Sequence, residues 1–100
     1  MAMRDPVILE QVKRTLALLT AKAPGGAIEV RVPPYAAVQC GAGPKHTRGT
    51  PPNVIEMNAE TWLALAAGQL NWNVAMDEGK ISASGVRADL TEYLPLRSTS

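Results

Sequence analysis

The amino-acid sequence predicts a fold of the α+β class, because its helical and strand-like segments do not alternate as they do in a wound parallel sheet. A long amphipathic helix comes first, and two strand-like runs follow it closely. A third strand, two short helices and a fourth strand come after a loop rich in glycine and proline. A chain of 100 residues has the length of one domain. We therefore expect residues 1–100 to form a single domain.

The first helix has a clear start and a clear end in the sequence. Asp5 is a favourable N-cap, and Pro6 occupies the first helical position, where a missing N–H does no harm. The segment 24–26, Pro-Gly-Gly, cannot continue a helix, so we expect the helix to end near Ala23. Four apolar residues recur at helical spacing and predict its buried face: Ile8, Val12, Leu16 and Leu19.

Two strands are predicted directly after this helix. Residues 28–32 alternate between apolar and charged side chains, as a strand does when one face of its sheet is buried. Residues 35–40 form a second short run that is rich in alanine and valine. Because the segment between them is too short for a helical crossover, we expect the two strands to pair antiparallel.

Residues 41–53 form a loop that is long for a domain of this size, which favours a functional role. Three basic or titratable residues, Lys45, His46 and Arg48, lie within four positions in this loop. They could receive a carboxylate or a phosphate, since a guanidinium makes two parallel hydrogen bonds to such a group. A loop whose charges are simply solvated would have the same sequence, so both interpretations stay open.

The second half of the chain carries two helix starts. Asn58 and Asn71 are both favourable N-caps, and Gly68 and Gly79 are typical of the residues at which a helix ends. The predicted elements are a strand at 54–57, helices at 59–67 and 72–78, a strand at 80–85 and a final helical turn within 87–95.

Composition and charge argue against several classes of function. Ten Lys and Arg residues balance nine Asp and Glu residues, so the formal charge of +1 favours neither nucleic acid nor an anionic membrane as partner. No run of about 20 apolar residues predicts a membrane-spanning helix, and the charged N-terminus does not resemble a signal peptide. The lone cysteine, Cys40, fits a reducing compartment, so we expect a cytoplasmic protein.

The sequence predicts neither an enzyme nor a cofactor or metal site. Cys40 and His46 could act as nucleophile and base, but no third group is evident that would orient the base. One histidine and one cysteine cannot hold zinc without several carboxylates. Ser82 and Ser84 lie on a predicted strand, whereas a hydrolase serine needs a strand-turn-helix context.

Two segments carry a resemblance to a known family. Residues 59–70, AETWLALAAGQL, resemble the T-W-x-x-L-x-x-G-x-L helix of sterol-carrier-like domains, and residues 72–85 resemble the short second helix, glycine turn and strand that follow it. Residues 29–34 and 43–53 are similar to a compact bacterial, actinobacterial-type branch of that family. The resemblance implies helices that cover one face of a mainly antiparallel sheet. It also implies a hydrophobic cleft between helices and sheet that binds acyl chains, sterols or similar molecules.

We therefore expect non-catalytic binding of a lipid or other small hydrophobic ligand, such as a fatty acid, an acyl thioester or an isoprenoid. Apolar residues in excess of what one helix face can bury would line the cleft, with a basic residue at its mouth. The expected ligand-binding residues are Leu63, Leu65, Leu70, Val74 and Met76, with Arg48 or His46 near the opening.

Other interpretations of the same residues remain open. The apolar side chains could simply form the core. The chain could instead be an accessory module that homodimerises or docks to an enzyme, for example a thiol-dependent isomerase, with an exposed apolar patch around Trp72 or Tyr35. It could also contribute Arg48 or His46 to the active site of such a partner.

Overall fold

The structure, a computed structural model, describes residues 5–45, 49 and 51–96 and contains the helices and strands that the sequence predicts. Their bounds agree with the predicted ones to within two residues. The final helical turn is a single turn, in which the backbone N–H groups of Tyr93 and Leu94 donate to the carbonyl of Leu90. In chain order the elements are α1 (Pro6–Lys22), β1 (Ile28–Val32), β2 (Ala36–Cys40), β3 (Val54–Glu56), α2 (Ala59–Ala66), α3 (Trp72–Asp77) and β4 (Ser82–Ser84).

The sheet has the strand order β2-β1-β3-β4, and two of its three strand pairs are antiparallel. The remaining pair, β1 with β3, is parallel, with Val30 opposite Ile55. The loop that follows β2 makes this possible. Cys40 ends β2 beside Ile28 at the start of β1, and Val54 opens β3 beside Glu29 at the same end. The loop therefore needs only to cross the start of β1, and no helix is required for the crossover.

The core lies between one face of this sheet and the helices. Alternation in β1 directs Ile28, Val30 and Val32 into the core, while Glu29 and Arg31 lie on the opposite face, where they form an ion pair. The other strands and the helices contribute further residues to the same cluster, among them Val12, Leu16, Leu19, Cys40, Ile55, Trp62, Leu65, Ala75, Ile81 and Leu90. The predicted arrangement, with helices covering one face of the sheet, is confirmed.

Asn53 joins three strands at one end of the sheet. Its side-chain Nδ2 donates to the carbonyl of Ala27 at 2.9 Å, and its Oδ1 accepts from the backbone N–H of Arg87 at 2.9 Å. Its own carbonyl accepts from the backbone N–H of Glu29 at 2.9 Å. Gly85 lies so close that a Cβ there would stand 2.4 Å from the Asn53 Oδ1. This buried asparagine thus ties the starts of β1 and β3 to the turn after β4.

We expect Asn53→Ala to lower the free energy of unfolding by about 2–3 kcal/mol, because it leaves a buried carbonyl and a backbone N–H without partners. Urea denaturation followed by tryptophan fluorescence measures the change. The matched control is Asn73→Ala, which makes the same substitution at an exposed position of α3. A loss for Asn53→Ala no larger than that for Asn73→Ala would contradict this role.

Candidate functional site

A groove of about 860 Å³ runs between α1 and α2 and is the larger of the two cavities described here. Its walls are mostly apolar, and much of that surface is not covered by other parts of the described chain. Leu18 of α1 is 50% exposed, and Leu63 of α2 is half-buried. The residues that line the groove are Ile8, Gln11, Arg14, Thr15, Leu18, Ala59, Glu60, Leu63, Ala64, Ala66, Ala67, Gln69 and Leu96.

The alanines of α2 create the space in this groove. Ala59, Ala64 and Ala66 of α2 all line it, as does the C-cap residue Ala67, and each has a single methyl group for a side chain. Methyl groups cannot reach across to the facing side chains of α1, so the space between the helices stays open. Since interiors are otherwise close-packed, a channel of this size requires such a row of small residues.

A buried hydrogen bond fixes α1 relative to α2. Trp62 is 0% exposed, and its indole Nε1 donates to the Thr15 Oγ1 at 2.8 Å. The Thr15 hydroxyl donates in turn to the carbonyl of Gln11 at 2.7 Å. A buried indole N–H needs an acceptor, and Thr15 provides it from the lining of the groove. This hydrogen bond therefore joins α1 and α2 beside the groove and leaves the indole N–H with a partner.

The C-terminal segment closes one end of the groove. The backbone N–H of Leu96 donates to the carbonyl of Ala66 at 3.0 Å, which places the Leu96 side chain in the lining. Lys22, in the last turn of α1, donates through its Nζ to the carbonyl of Tyr93 at 2.8 Å. The last turns of α1 and α2 are thus both anchored to the segment 93–96.

The charges along the groove balance. Arg14 is the cation and Glu60 the anion in the described lining. Arg14 also lies 3.9 Å from the carboxylate of Glu10, one helical turn earlier, with both side chains well exposed. An exposed pair of this kind contributes about 0–1 kcal/mol. The groove therefore favours apolar ligands without a strong preference for either sign of charge.

A second cavity of about 490 Å³ lies on the other side of the C-terminal segment. It is smaller and more polar than the groove, and Gln69 belongs to the linings of both. The residues that line it are Leu65, Gly68, Gln69, Leu70, Asn71, Trp72, Thr91, Leu94 and Pro95.

Comparison with known proteins identifies the family to which this chain belongs. Residues 5–96 match the family model described as bacterial SCP ortholog, SCP standing for sterol carrier protein. The chain belongs to this bacterial sterol carrier protein family. Six chains from solved structures match, among them the sterol carrier protein domain 2 of Helicoverpa armigera, determined in solution. That domain is 20% identical with a TM-score of 0.55, and the alignment covers 100% of this chain and 99% of the other.

At 20% identity the solved sterol carrier domain shows a shared fold alone. No curated protein matches the chain. Among the residues that the structure describes, no helix combines the length and the apolar composition needed to cross a bilayer. The predicted resemblance to the sterol carrier family and the predicted α+β class are both confirmed.

The structure distributes the predicted ligand-binding residues of this sterol-carrier-like domain over different places. Leu63 lines the groove, whereas Leu65 and Leu70 line the second cavity. Val74 and Met76 are 45% and 39% exposed and belong to neither lining. The two basic residues that were expected at the mouth, His46 and Arg48, lie outside the described residues.

The sequence argument overlooked the contribution of α1. Ile8, which the sequence placed on the buried face, is only half-buried, and it lines the groove together with Leu18, which lies beside that face. The signal available in the sequence was an apolar residue, Leu18, next to the predicted buried face of α1. The alanine-rich composition of α2 was a further signal, because small side chains at a helix interface leave room for a ligand.

Glycines of the long loop serve close packing against the segment after α1. The backbone N–H of Gly26 donates to the carbonyl of Gly43 at 2.9 Å, and that of Gly41 donates to the carbonyl of Ala23 at 2.8 Å. A Cβ on Gly26 would stand 2.2 Å from the Cα of Lys45. Residues 41–45 of this loop thus pack on residues 23–27 and contribute to neither lining.

Cys40 is fully buried, and burial raises the pKa of its thiol from 9.0 to about 11. At neutral pH it is a protonated, small hydrophobic side chain, since only the thiolate is a good nucleophile or metal ligand. Within residues 5–45, 49 and 51–96, His, Cys, Asp and Glu side chains form no group of three that could hold a metal ion.

The raised pKa of Cys40 predicts a loss of stability in alkali. The thiol of the unfolded chain loses its proton near pH 9, whereas the folded thiol keeps its proton until about pH 11. The free energy of unfolding should therefore be unaffected below pH 9 and fall between pH 9 and 11, by up to about 3 kcal/mol. Urea denaturation across this range measures the decline.

The control for the alkaline decline is Cys40→Ala, which removes the titrating group. All other ionisable groups are the same in both proteins, so the difference between the two plots of unfolding free energy against pH isolates the thiol. A parallel decline in both proteins would contradict the assignment to Cys40.

Proposed function

We propose that the chain is a non-catalytic carrier that binds the hydrocarbon part of a small hydrophobic ligand in the groove between α1 and α2. The observation that carries the proposal is the open, alanine-walled apolar channel between the two helices. Membership of the sterol carrier family supports it. The ligand classes that fit are an acyl chain, carried by a fatty acid or an acyl thioester, and an isoprenoid chain.

The dimensions of the groove suit an extended chain. From Ile8 to Leu18, α1 advances by about 15 Å, since each helical residue rises about 1.5 Å. Both of these residues and Leu63 offer apolar surface to the channel. Each methylene group that enters the groove contributes about 0.8 kcal/mol, or roughly fourfold in affinity. A medium-length acyl chain would bury most of its methylenes along that path.

The proposal assigns no chemical step to the chain. Its cysteine, Cys40, is buried and protonated near neutral pH, and it lies in the core away from both linings. We place the protein in the cytoplasm, where a free buried thiol of this kind persists in reduced form. Nucleic acid and integral membrane association are not part of this function.

The second candidate function is an accessory module, in which a partner protein or a second copy covers the groove. The observation in its favour is that α1 leaves Val7 65% and Leu18 50% exposed beside the groove. The side chains of Trp72 and Tyr35 do not themselves form an exposed apolar patch, although Val74 and Met76 on the helix of Trp72 are 45% and 39% exposed. Trp72 is buried against the core, and Tyr35 is half-buried, with its hydroxyl oxygen accepting from the backbone N–H of Asp5.

We expect the carrier to retain a hydrocarbon ligand when it is purified from a bacterial host. Native mass spectrometry followed by organic extraction would detect and classify it. An unliganded spectrum that shows only a dimer, together with no uptake of added dodecanoic acid, would favour the accessory module.

Filling the groove should weaken ligand binding. We expect Ala64→Leu to lower the affinity for dodecanoic acid at least about tenfold, because the larger side chain occupies the space of several methylenes. The matched control is Ala17→Leu, the same substitution at an exposed position of α1 outside the lining. Competition with a fluorescent acyl probe measures both. Equal affinities for the two variants would place the ligand elsewhere.

A further inference from the structure

We propose that the second cavity receives the head group of the ligand, and that this head group is an uncharged one that carries hydroxyl or amide groups. The inference rests on the proposed function, because it requires the hydrocarbon chain to lie in the groove between α1 and α2. It adds the class of ligand and a second binding site to that function.

The two cavities meet at one side chain. Gln69 follows the end of α2, is exposed, and lines both the groove and the second cavity. Elsewhere the C-terminal segment separates them, with Leu96 facing the groove and Leu94 and Pro95 facing the second cavity. The shared lining residue indicates that a molecule whose chain occupies the groove would reach the second cavity past Gln69.

The lining of the second cavity combines polar side chains with apolar ones. Its polar residues are Gln69, Asn71 and Thr91, and its apolar part is formed by Leu65, Leu70, Trp72, Leu94 and Pro95.

Polar groups of this cavity remain available to a ligand. Asn71 uses its Oδ1 to accept from the backbone N–H groups of Asn73 and Val74, which leaves its amide N–H groups as donors. In the described part of the chain, neither the side-chain amide of Gln69 nor the hydroxyl of Thr91 makes a hydrogen bond. The cavity thus presents both donors and acceptors, as a hydroxyl or amide head group requires.

The charges around the second cavity do not favour an anionic head group. Among the described residues, the lining of the second cavity contains no Lys, Arg, His, Asp or Glu. A carboxylate placed there would lose its hydration without gaining a cation. Two cations lie near this path, and both already have partners. Arg14 lies in the groove lining with Glu60 and faces Glu10, and the Nζ of Lys22 donates to the carbonyls of Tyr93 and Pro95. A neutral head group avoids this desolvation penalty.

Two ligands that share one chain test the proposal. 1-Dodecanoylglycerol has a neutral head with two hydroxyl groups, and dodecanoic acid at pH 7 has a carboxylate. We expect the glyceride to bind more tightly. We also expect Thr91→Val to lower the affinity for the glyceride about three- to tenfold, because one hydrogen bond is lost, and to leave the affinity for dodecanoate unchanged.

Thr91→Val should fold normally, because Thr91 is exposed and its backbone N–H keeps the bond to the Asp89 Oδ1. The matched control is Thr20→Val in α1, where the hydroxyl bonds only to the local carbonyl of Ala17 and lines neither cavity. Asn71→Asp is a second variant, which keeps the N-cap oxygen and removes the amide donor. It should also weaken the glyceride.

Three outcomes would overturn the head-group proposal. In the first, both ligands bind and Ala64→Leu lowers the affinity for both, yet Thr91→Val and Asn71→Asp leave the affinity for the glyceride unchanged. The groove would then still bind the chain, but the second cavity would not bind the head group. In the second, dodecanoate binds more tightly and depends on Arg14. In the third, neither ligand binds, and the proposed function itself fails.

Discussion

One hydrogen bond links α1 to the buried indole of Trp62 in α2 and so helps to fix the spacing of the two helices. Trp62 contributes the largest fully buried side chain of the core, and its indole N–H must find an acceptor there because an unpaired buried donor is costly. Thr15 supplies that acceptor and donates its own proton to the backbone of α1. The pair sets how far α1 stands from α2. Everything that the two helices enclose, including the groove, follows from that separation.

A small domain has few large apolar side chains with which to fill a core and also enclose a ligand. In this chain the packed core and the groove lie in different places. The layer between sheet and helices contains Trp62 and a set of fully buried Leu, Ile and Val side chains. The groove that we propose as the ligand site lies outside that layer, between α1 and α2, and four alanines line it. The sequence predicted a cleft between helices and sheet, whereas this groove lies between two helices. There a ligand can enter without disrupting the packing that stabilises the fold.

Local patterns predicted most of the fold but less of the site. Alternation, N-caps and terminal glycines located the helices and strands, because these signals act within a few residues. The parallel pairing of β1 and β3 is set by the path of the loop at 41–53, which has no periodicity to reveal it. Leu63 was predicted to bind the ligand and lines the groove, whereas Val74 does not, because apolar composition does not say which face of a six-residue helix is covered. Leu18 was overlooked because periodicity identifies first the face that is buried in the core.

The most direct test of the account is where a bound acyl chain lies. Nuclear Overhauser effects between the methyl groups of 13C-labelled protein and an unlabelled dodecanoyl chain would locate it by contact. The account predicts effects to Ile8, Leu18, Leu63 and Leu96, the apolar residues that flank the alanines of α2. Effects confined to residues of the inner sheet face, such as Val30 or Ile55, would show that the chain lies between helices and sheet and would contradict the account.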